Sequence, residues 1–275
     1  MPRTAGRLVR VTTEGKKHLE RLRAALPDVA AKINEFTLQT FRCRGGRMGS
    51  GMGNLIEALW GFYTRVVLTE TTAATYDVAW ITDHAYNDFA LLDASKAWES
   101  TTGAGEIFRI EAKSMNLGAD ETKAHFDVLA SQLDEDDQLL VIVWKWTQVE
   151  GDVVFPQIVG QFIGPAAEIV ALRDALHVAR GGSFVLRDAC PDGCAPEACI
   201  HVGEPLNAAG IRERRSGPIA TRGGKTSYAQ NFGGLKRMLA ARSPESRAVL
   251  EQQMAAHPIR REYVEFVRSF PTLNA

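Results

Sequence analysis

Charged and apolar residues alternate in the segment 107–113, where Arg109, Glu111 and Lys113 occupy every second position. Successive side chains of a β-strand point to opposite faces, so these three side chains would project from one face and the apolar ones from the other. A carboxylate and an ammonium group would then lie side by side. A half-buried strand with a surface ion pair would show the same pattern, so the neighbouring segments decide its meaning.

A second short apolar run, 87–93, precedes this strand, and a polar, glycine-containing connection joins the two. The pattern predicts an antiparallel hairpin, in which the numbers of paired residues add to a constant. A fold near position 99 or 100 places Asp88 opposite Glu111, while Asp93 lies beside the turn. The sequence therefore predicts that Asp88, Glu111 and Lys113 converge, and it favours Asp88 over Asp93 as the functional carboxylate.

Two carboxylates held close together in a medium of low dielectric constant repel each other unless a cation lies between them. Oxygen ligands with open water positions suit Mg²⁺ or Mn²⁺, so Asp88 and Glu111 are predicted ligands of a catalytic metal ion. Such an ion lowers the pKa of a bound water and offsets charge that develops on a phosphate under attack. Lys113 is predicted to orient that water and to stabilise the developing charge.

Asp88 followed by Glu111-Ala112-Lys113 resembles the D…(D/E)xK signature of the PD-(D/E)XK nuclease superfamily. Asn87 stands where that family often has proline, at a position that is not a ligand. The resemblance covers roughly residues 53–163. It implies an α/β fold of the restriction-endonuclease type, a mixed central sheet flanked by helices, and Mg²⁺-dependent hydrolysis of double-stranded DNA at a specific sequence, as in type II restriction. Cleavage of both strands of a palindromic site implies a homodimer.

The apolar spacing of residues 54–63 predicts a helix ahead of the sheet, with Asn54 as its N-cap. Many members of the superfamily carry a helix here whose glutamate approaches the metal. The resemblance thus implies that Glu57 is an accessory catalytic carboxylate. A solvated glutamate on the face of the helix is the alternative.

Further elements follow in the order that the resemblance implies. Strands are predicted at 78–82, ahead of the hairpin, and at 139–144, where both faces are apolar as in a central parallel strand. A helix at 121–133 would join the Glu111 strand to this central strand by a right-handed crossover. A strand at 153–163 and a helix at 165–179 would extend the fold.

Three cysteines and a histidine, Cys190, Cys194, Cys199 and His201, fall within twelve positions, with proline and glycine between them. Soft ligands at short spacing suit tetrahedral Zn²⁺, although Cys-x3-Cys-x4-Cys-x-His is not a standard finger pattern. Disulfides are the alternative. Cys43 is the one other cysteine and no secretory signal is recognised, so a reducing compartment is expected. Four protein ligands predict a structural zinc that clips a loop-rich segment.

Charge is segregated along the 275 residues, although the net charge is −1. Residues 1–50 carry 11 Lys/Arg against 4 Asp/Glu, residues 205–275 carry 12 against 5, and the middle is acidic. This distribution is expected of a protein whose acidic middle region binds metal ions and whose basic terminal regions bind the phosphates of DNA. The residues predicted to contact DNA are Arg42, Arg44, Arg47, Arg212, Arg214, Arg215, Arg222 and Lys225.

These patterns predict three regions: a basic helical arm at 1–48, a catalytic core at 49–180 and a zinc-binding, DNA-recognising region at 181–275. The arm would contain a helix at 14–26, and the last region a short helix at 231–241 and one or two amphipathic helices at 245–270. No apolar run is long enough to cross a membrane, so a soluble protein of the bacterial cytoplasm is expected. The alternatives are a DNA repair or phage-defence nuclease of the same fold and a non-catalytic, zinc-dependent DNA-binding protein.

Overall fold

The computed structural model describes residues 13–45, 51–71, 75–81, 87–118, 124–212 and 230–274. The chain divides into two compact units. One unit contains the residues up to Asn116 together with 134–166, and the other contains 117–133 together with the residues from Ala167 onward. The three regions predicted at 1–48, 49–180 and 181–275 follow different boundaries from these units.

The first unit is built on a six-stranded mixed sheet with two long helices. Its strands lie in the order β1-β6-β5-β4-β3-β2. Only β4 and β5 run parallel; every other pair is antiparallel. The predicted mixed α/β class is confirmed at this level. The elements are α1 (Thr13–Thr40), β1 (Cys43–Arg44), α2 (Gly51–Thr71), β2 (Tyr76–Trp80), β3 (Phe89–Asp93), β4 (Glu106–Asn116), β5 (Gln138–Glu150) and β6 (Val153–Pro165).

The hairpin of β3 and β4 has the predicted register. Phe89 lies opposite Ile110, and the Asp88 amide donates a hydrogen bond to the Ile110 carbonyl at 3.0 Å. The residue numbers of Asp88 and Glu111 add to the same value as those of Phe89 and Ile110, so the same register sets Asp88 opposite Glu111. A bulge after Leu91 shifts the pairing by one residue toward the turn. The prediction that Asp88, and not the turn residue Asp93, lies at the Glu111 end is confirmed.

Helix α1 is about twice as long as the predicted helix at 14–26 and continues through Pro27. Proline inside a helix costs about 3 kcal/mol because it lacks an amide donor and crowds the preceding turn. Here Pro27 lies within α1. Val29 and Ile33 continue the buried stripe beyond it, and their burial is worth about 1.5–3 kcal/mol each. Asn34 also exchanges two side-chain hydrogen bonds with the backbone of Ile158 in β6.

The predicted helix at 121–133 is wrong over its described part. Residues 124–133 contain only a 3₁₀ turn, Ala130–Gln132. Phe126 donates its amide to the Gly233 carbonyl, and the buried Arg173 guanidinium donates to the carbonyls of Phe126 and Val128. These distant partners satisfy the backbone, so the apolar spacing of the segment reflects burial without helical hydrogen bonds.

The second unit consists of helices and a two-stranded ribbon. Arg173 lies over the Phe232 ring at 4.1 Å, and the Tyr263 hydroxyl donates to the Leu235 carbonyl. The predicted helix at 231–241 is reduced to α4 and a 3₁₀ turn, whereas the predicted helices at 165–179 and 245–270 are confirmed. The elements are α3 (Ala166–Ala179), β7 (Ser183–Phe184), β8 (Pro205–Leu206), α4 (Gln230–Gly233), α5 (Pro244–Ala256), α6 (Pro258–Arg268) and α7 (Phe270–Asn274).

None of the helices in the described part of the chain combines the length and the apolar content that crossing a bilayer requires.

The turn between β3 and β4 depends on Gly105, whose φ is +79°. A Cβ atom there would lie 2.7 Å from the backbone oxygen of Ala97. We expect Gly105→Ala to lower the free energy of unfolding by about 2–3 kcal/mol, since left-handed strain and a backbone clash add. Gly151→Ala, at φ +54° with nothing within 4 Å, should cost only about 1 kcal/mol. Urea unfolding measures both, and equal losses would contradict the proposed clash.

Candidate active site and candidate zinc centre

Strand β4 extends beyond the end of β3, and this leaves two of its amides without a strand partner. Pairing with β3 ends at Phe89 and Ile110. The next amides on that edge belong to Ala112 and Ser114, because amides of alternate residues point to the same side. The Ala112 amide donates to Asp88 Oδ2 at 2.8 Å, and the Ser114 amide donates to Glu57 Oε1 at 3.0 Å. Two carboxylates thus take the place of the missing strand.

Glycine residues allow α2 to bring Glu57 to this edge. Gly53, Glu57 and Gly61 are spaced by four residues and therefore share one face of the helix. A Cβ atom on Gly53 would lie 2.7 Å from Ser114 Oγ, and one on Gly61 would lie 3.0 Å from the Phe89 ring. The predicted N-cap at Asn54 is wrong, since α2 begins at Gly51 and Asn54 lies inside it.

Glu111 and Lys113 form a direct ion pair on β4, through Glu111 Oε1 and Lys113 Nζ. The Lys113 side chain is 22% exposed. Burial acts to lower the pKa of Lys113, but the carboxylates of Glu111, Asp88 and Glu57 outweigh it and raise this pKa above its usual value. Lys113 therefore remains an ammonium group at neutral pH.

The pKa of Glu57 is raised to about 7, from an ordinary value of 4.5. Burial of the carboxyl group is the main cause, and the negative charge of Asp88 adds to it. The Lys113 charge and the Ser114 hydrogen bonds oppose the shift only in part. Two carboxylates are thus held close enough to disfavour full ionisation of both.

Arg109 and Asp93 both lie near the turn, and neither belongs to this cluster. Arg109 makes two hydrogen bonds to the Glu106 carboxylate and one to the Ser100 carbonyl. Asp93 accepts hydrogen bonds from Ser95 and pairs with Lys96, which lower its pKa to about 2. These contacts hold the turn together, whereas Asp88, directly before β3, lies at the Glu111 end of the hairpin.

Few of the predicted DNA-contacting residues fall in the described chain. Arg42 donates to the Leu38 carbonyl, and Arg44 pairs with Asp152; both side chains are exposed. Arg212 is 13% exposed and pairs with Asp192 and Glu204, so its DNA contact stays a prediction. Outside the described residues lie Arg47, Arg214, Arg215, Arg222 and Lys225.

The four predicted zinc ligands come together in the loop between β7 and β8. One potential ligand atom from each of Cys190, Cys194, Cys199 and His201 lies within 4.8 Å of all the others. His201 faces the thiols through Nδ1, which is 3.5 Å from Cys190 Sγ and 3.4 Å from Cys194 Sγ. A tetrahedral Zn²⁺ with ordinary bond lengths separates sulfur and nitrogen ligands by about 3.5 Å. The cluster therefore fits zinc.

Local turns bend the chain so that these ligands meet. The Gly193 amide donates to the Cys190 carbonyl, with Gly193 at φ +69°. The four cysteines are thiols and form no disulfide. Burial acts to raise the pKa of Cys190, but hydrogen bonds from His201, Cys194 and Cys199 lower it to about 7, so a thiolate is accessible for metal binding.

Arg212, Asp192 and Glu204 form a charged shell beside the cysteines. Asp192 Oδ2 lies 3.9 Å from His201 Nδ1 and also pairs with Arg212, which reaches Glu204 at 2.6 Å. Reasoning from the sequence missed this shell because only the folding of the loop brings Glu204 and Arg212 together beside Asp192. It also missed Gly53, whose role depends on the approach of α2 to β4.

Within the described residues, the Cys₃His cluster is the one group of three or more histidine, cysteine and acidic side chains arranged to hold a metal ion. The carboxylates of Glu57, Asp88 and Glu111 are not gathered so closely. Comparison of the chain with protein-family models, with curated proteins and with solved structures finds no match. The site is therefore interpreted from its own chemistry.

The raised pKa of Glu57 predicts a specific pH dependence of stability. A carboxyl group whose pKa is higher in the folded than in the unfolded protein stabilises the fold. This stabilisation is complete below the ordinary pKa of the group and is lost as pH rises through its folded-state pKa, here about 7. Between pH 4.5 and 8 the free energy of unfolding of the wild type should therefore fall by up to about 3 kcal/mol more than that of Glu57→Gln. Urea unfolding without Mg²⁺ measures the difference. Glu35→Gln, at an exposed position of α1, should behave like wild type; identical profiles for Glu57→Gln and wild type would contradict the shift.

The cysteine cluster predicts one zinc ion per chain. Cys199→Ser removes a thiolate ligand and should weaken zinc binding by more than about a hundredfold, since loss of outer-shell partners alone costs about 10–100-fold. Cys43→Ser removes the one cysteine outside the cluster and should leave zinc binding unchanged. Competition with a chromophoric chelator, together with elemental analysis, measures both. A similar loss in the two variants would reject the assignment.

Proposed function

We propose that this protein is a Mg²⁺-dependent endodeoxyribonuclease that hydrolyses phosphodiester bonds of double-stranded DNA. The observation that carries the proposal is the convergence of Glu57, Asp88, Glu111 and Lys113 at the edge of β4 that β3 leaves uncovered. Electrostatic coupling among the four groups appears in the pKa values of both Lys113 and Glu57. Clusters of this kind in one place are typical of functional sites.

The donor set fits a hard divalent cation. Mg²⁺ and Mn²⁺ prefer carboxylate oxygens with open water positions, and Asp88 and Glu111 would hold the ion, with Glu57 as an accessory carboxylate. Burial is the main cause of the raised pKa of Glu57, and the repulsion from Asp88 that adds to it is the kind of strain that a cation relieves. A bound ion would supply an activated water and offset phosphate charge.

Lys113 contributes a charge and hydrogen-bond donors, because its raised pKa keeps the ammonium protonated. It is therefore not the general base of the reaction. Its Nζ can orient the attacking water and stabilise negative charge on the phosphate, which is where preorganised charge is most effective. The Ala112 and Ser114 amides hold the Asp88 and Glu57 carboxylates in place.

The more specific assignment, a type II restriction endonuclease of the PD-(D/E)XK superfamily, rests on the resemblance of Asp88 and Glu111-Ala112-Lys113 to that signature. The order α2, β2, β3, β4 and β5 and the parallel β4–β5 pair support it, whereas the helix that the resemblance implies between β4 and β5 is missing from residues 124–133. We further propose a homodimer, since two active sites are needed to cut both strands, and a structural zinc that clips the β7–β8 loop. A repair or phage-defence nuclease would share the same site.

Lys113→Ala should abolish DNA cleavage in Mg²⁺, by at least about a hundredfold, while DNA binding remains, because removal of one preorganised charge at such a site costs about 10²–10³-fold. Lys96→Ala, at an exposed lysine of the turn, should leave cleavage unchanged. Cleavage of a plasmid and a filter-binding assay in Ca²⁺ measure the two properties. Equal cleavage by Lys113→Ala and wild type would reject the catalytic assignment.

The same assay distinguishes Asp88, directly before β3, from Asp93, the last residue of β3. Asp88→Asn should lose cleavage to the same extent as Lys113→Ala, because it would remove a metal ligand, whereas Asp93→Asn should retain it. Discrete fragments from a DNA of known sequence would support the restriction assignment, and a smear would favour the repair or defence alternative. Wild-type protein that binds DNA and never cuts it would favour the non-catalytic alternative.

A further inference from the structure

The side chains of Glu111 and Lys113 are directly bonded on one face of β4, through Glu111 Oε1 and Lys113 Nζ. The Glu111 side chain is largely buried, at 9% exposed, whereas that of Lys113 is 22% exposed. In the proposed function, Glu111 is also a ligand of a divalent cation. One carboxylate thus has two cationic partners, an ammonium group of the chain itself and an ion from solvent.

Lys113 is a positive charge within a group of carboxylates. The charges of Asp88 and Glu57 attract it in addition to its direct partner. Both of these carboxylates are held at the edge of β4 by backbone amides, those of Ala112 and Ser114, which are neutral donors. Lys113 therefore offsets negative charge within the same group of side chains that would hold a divalent cation.

An ammonium group and a divalent cation repel each other when both lie near the same carboxylate. The repulsion falls with distance and is stronger in a partly buried site than in bulk water. Glu111 has a second oxygen, but the use of different oxygens would still leave the two positive charges close together. Each cation should therefore weaken the binding of the other, and thermodynamic linkage makes the two effects equal.

We propose that Lys113 is an internal counter-ion that competes with the divalent cation for Glu111. Lys113 leaves Glu111 when the cation binds, and its ammonium group then becomes available to the attacking water and the phosphate. This inference rests on the proposed function, because it takes Glu111 as a metal ligand, but it does not require cleavage. An ion pair with only a structural role would behave in the opposite way, since its loss would leave Glu111 less well ordered and would weaken metal binding.

Removal of the ammonium group should strengthen cation binding. Lys113→Met keeps an unbranched side chain without the charge, and it should bind Mn²⁺ about 5–150-fold more tightly than wild type, the range typical of coupling between two binding events. Lys113→Arg keeps the positive charge and should show no such gain. Lys113→Met should also fail to cleave DNA, and tighter metal binding together with lost cleavage is a combination that a folding defect does not produce.

Isothermal titration calorimetry of the full chain with Mn²⁺, in the absence of DNA, measures these affinities. Lys96→Met is the matched control: Lys96 pairs with Asp93 Oδ2 at 2.9 Å in the turn of the same hairpin, away from the carboxylate cluster. This variant removes the same charge from the chain and should bind Mn²⁺ like wild type. Lys113→Gln is a second neutral variant, for which the same gain is expected if Lys113→Met does not fold.

Mn²⁺ binding by the neutral Lys113 variants that is equal to or weaker than that of wild type would overturn the proposal. A gain of the same size in Lys113→Arg or Lys96→Met would overturn it as well, because the effect would not depend on a charge beside Glu111. Absence of Mn²⁺ binding in both wild type and Lys113→Met would reject the metal site and the counter-ion together. Failure of the nuclease proposal alone would appear as cleavage that does not depend on Lys113, while the gain in Mn²⁺ affinity persists.

Discussion

The candidate site depends on one constraint, which is that β4 continues where β3 has ended. Backbone amides need a hydrogen-bond partner when they are removed from water, and at Ala112 and Ser114 no strand supplies one. The carboxylates of Asp88 and Glu57 fill these positions at 2.8 and 3.0 Å. The need to satisfy the backbone therefore brings two negative charges together at the edge of the sheet, next to Glu111 and Lys113.

This arrangement explains the electrostatics of the cluster. Three carboxylates and one ammonium group share a small region, and the single positive charge of Lys113 does not balance them. Burial, together with the nearby charge of Asp88, raises the pKa of Glu57 to about 7, and Lys113 is paired with Glu111. In the proposed function, a divalent cation would offset the remaining negative charge.

Much of the first unit could be predicted because local patterns specify it. The constant-sum rule gave the register that puts Asp88 opposite Glu111, and continuous apolar residues predicted the buried strand β5. The errors arose where tertiary contacts prevail over local signals. Helix α1 continues beyond Pro27, where Val29 is buried. Residues 124–133 form hydrogen bonds to Gly233 and Arg173 in place of those of a helix. The ligand spacing predicted the cysteine cluster, but the shell of Asp192, Glu204 and Arg212 has no local signature.

We propose that Asp88 and Glu111 hold a divalent cation at the open edge of β4. Crystals grown with Mn²⁺ and measured at the manganese absorption edge test it most directly, because anomalous scattering locates the ion without assumptions about the ligands. We expect an anomalous peak within about 2.5 Å of carboxylate oxygens from both Asp88 and Glu111, with Lys113 Nζ nearby. A Mn²⁺ ion bound elsewhere at full occupancy, with Glu111 still paired to Lys113 and no anomalous peak at Asp88, would contradict this metal site.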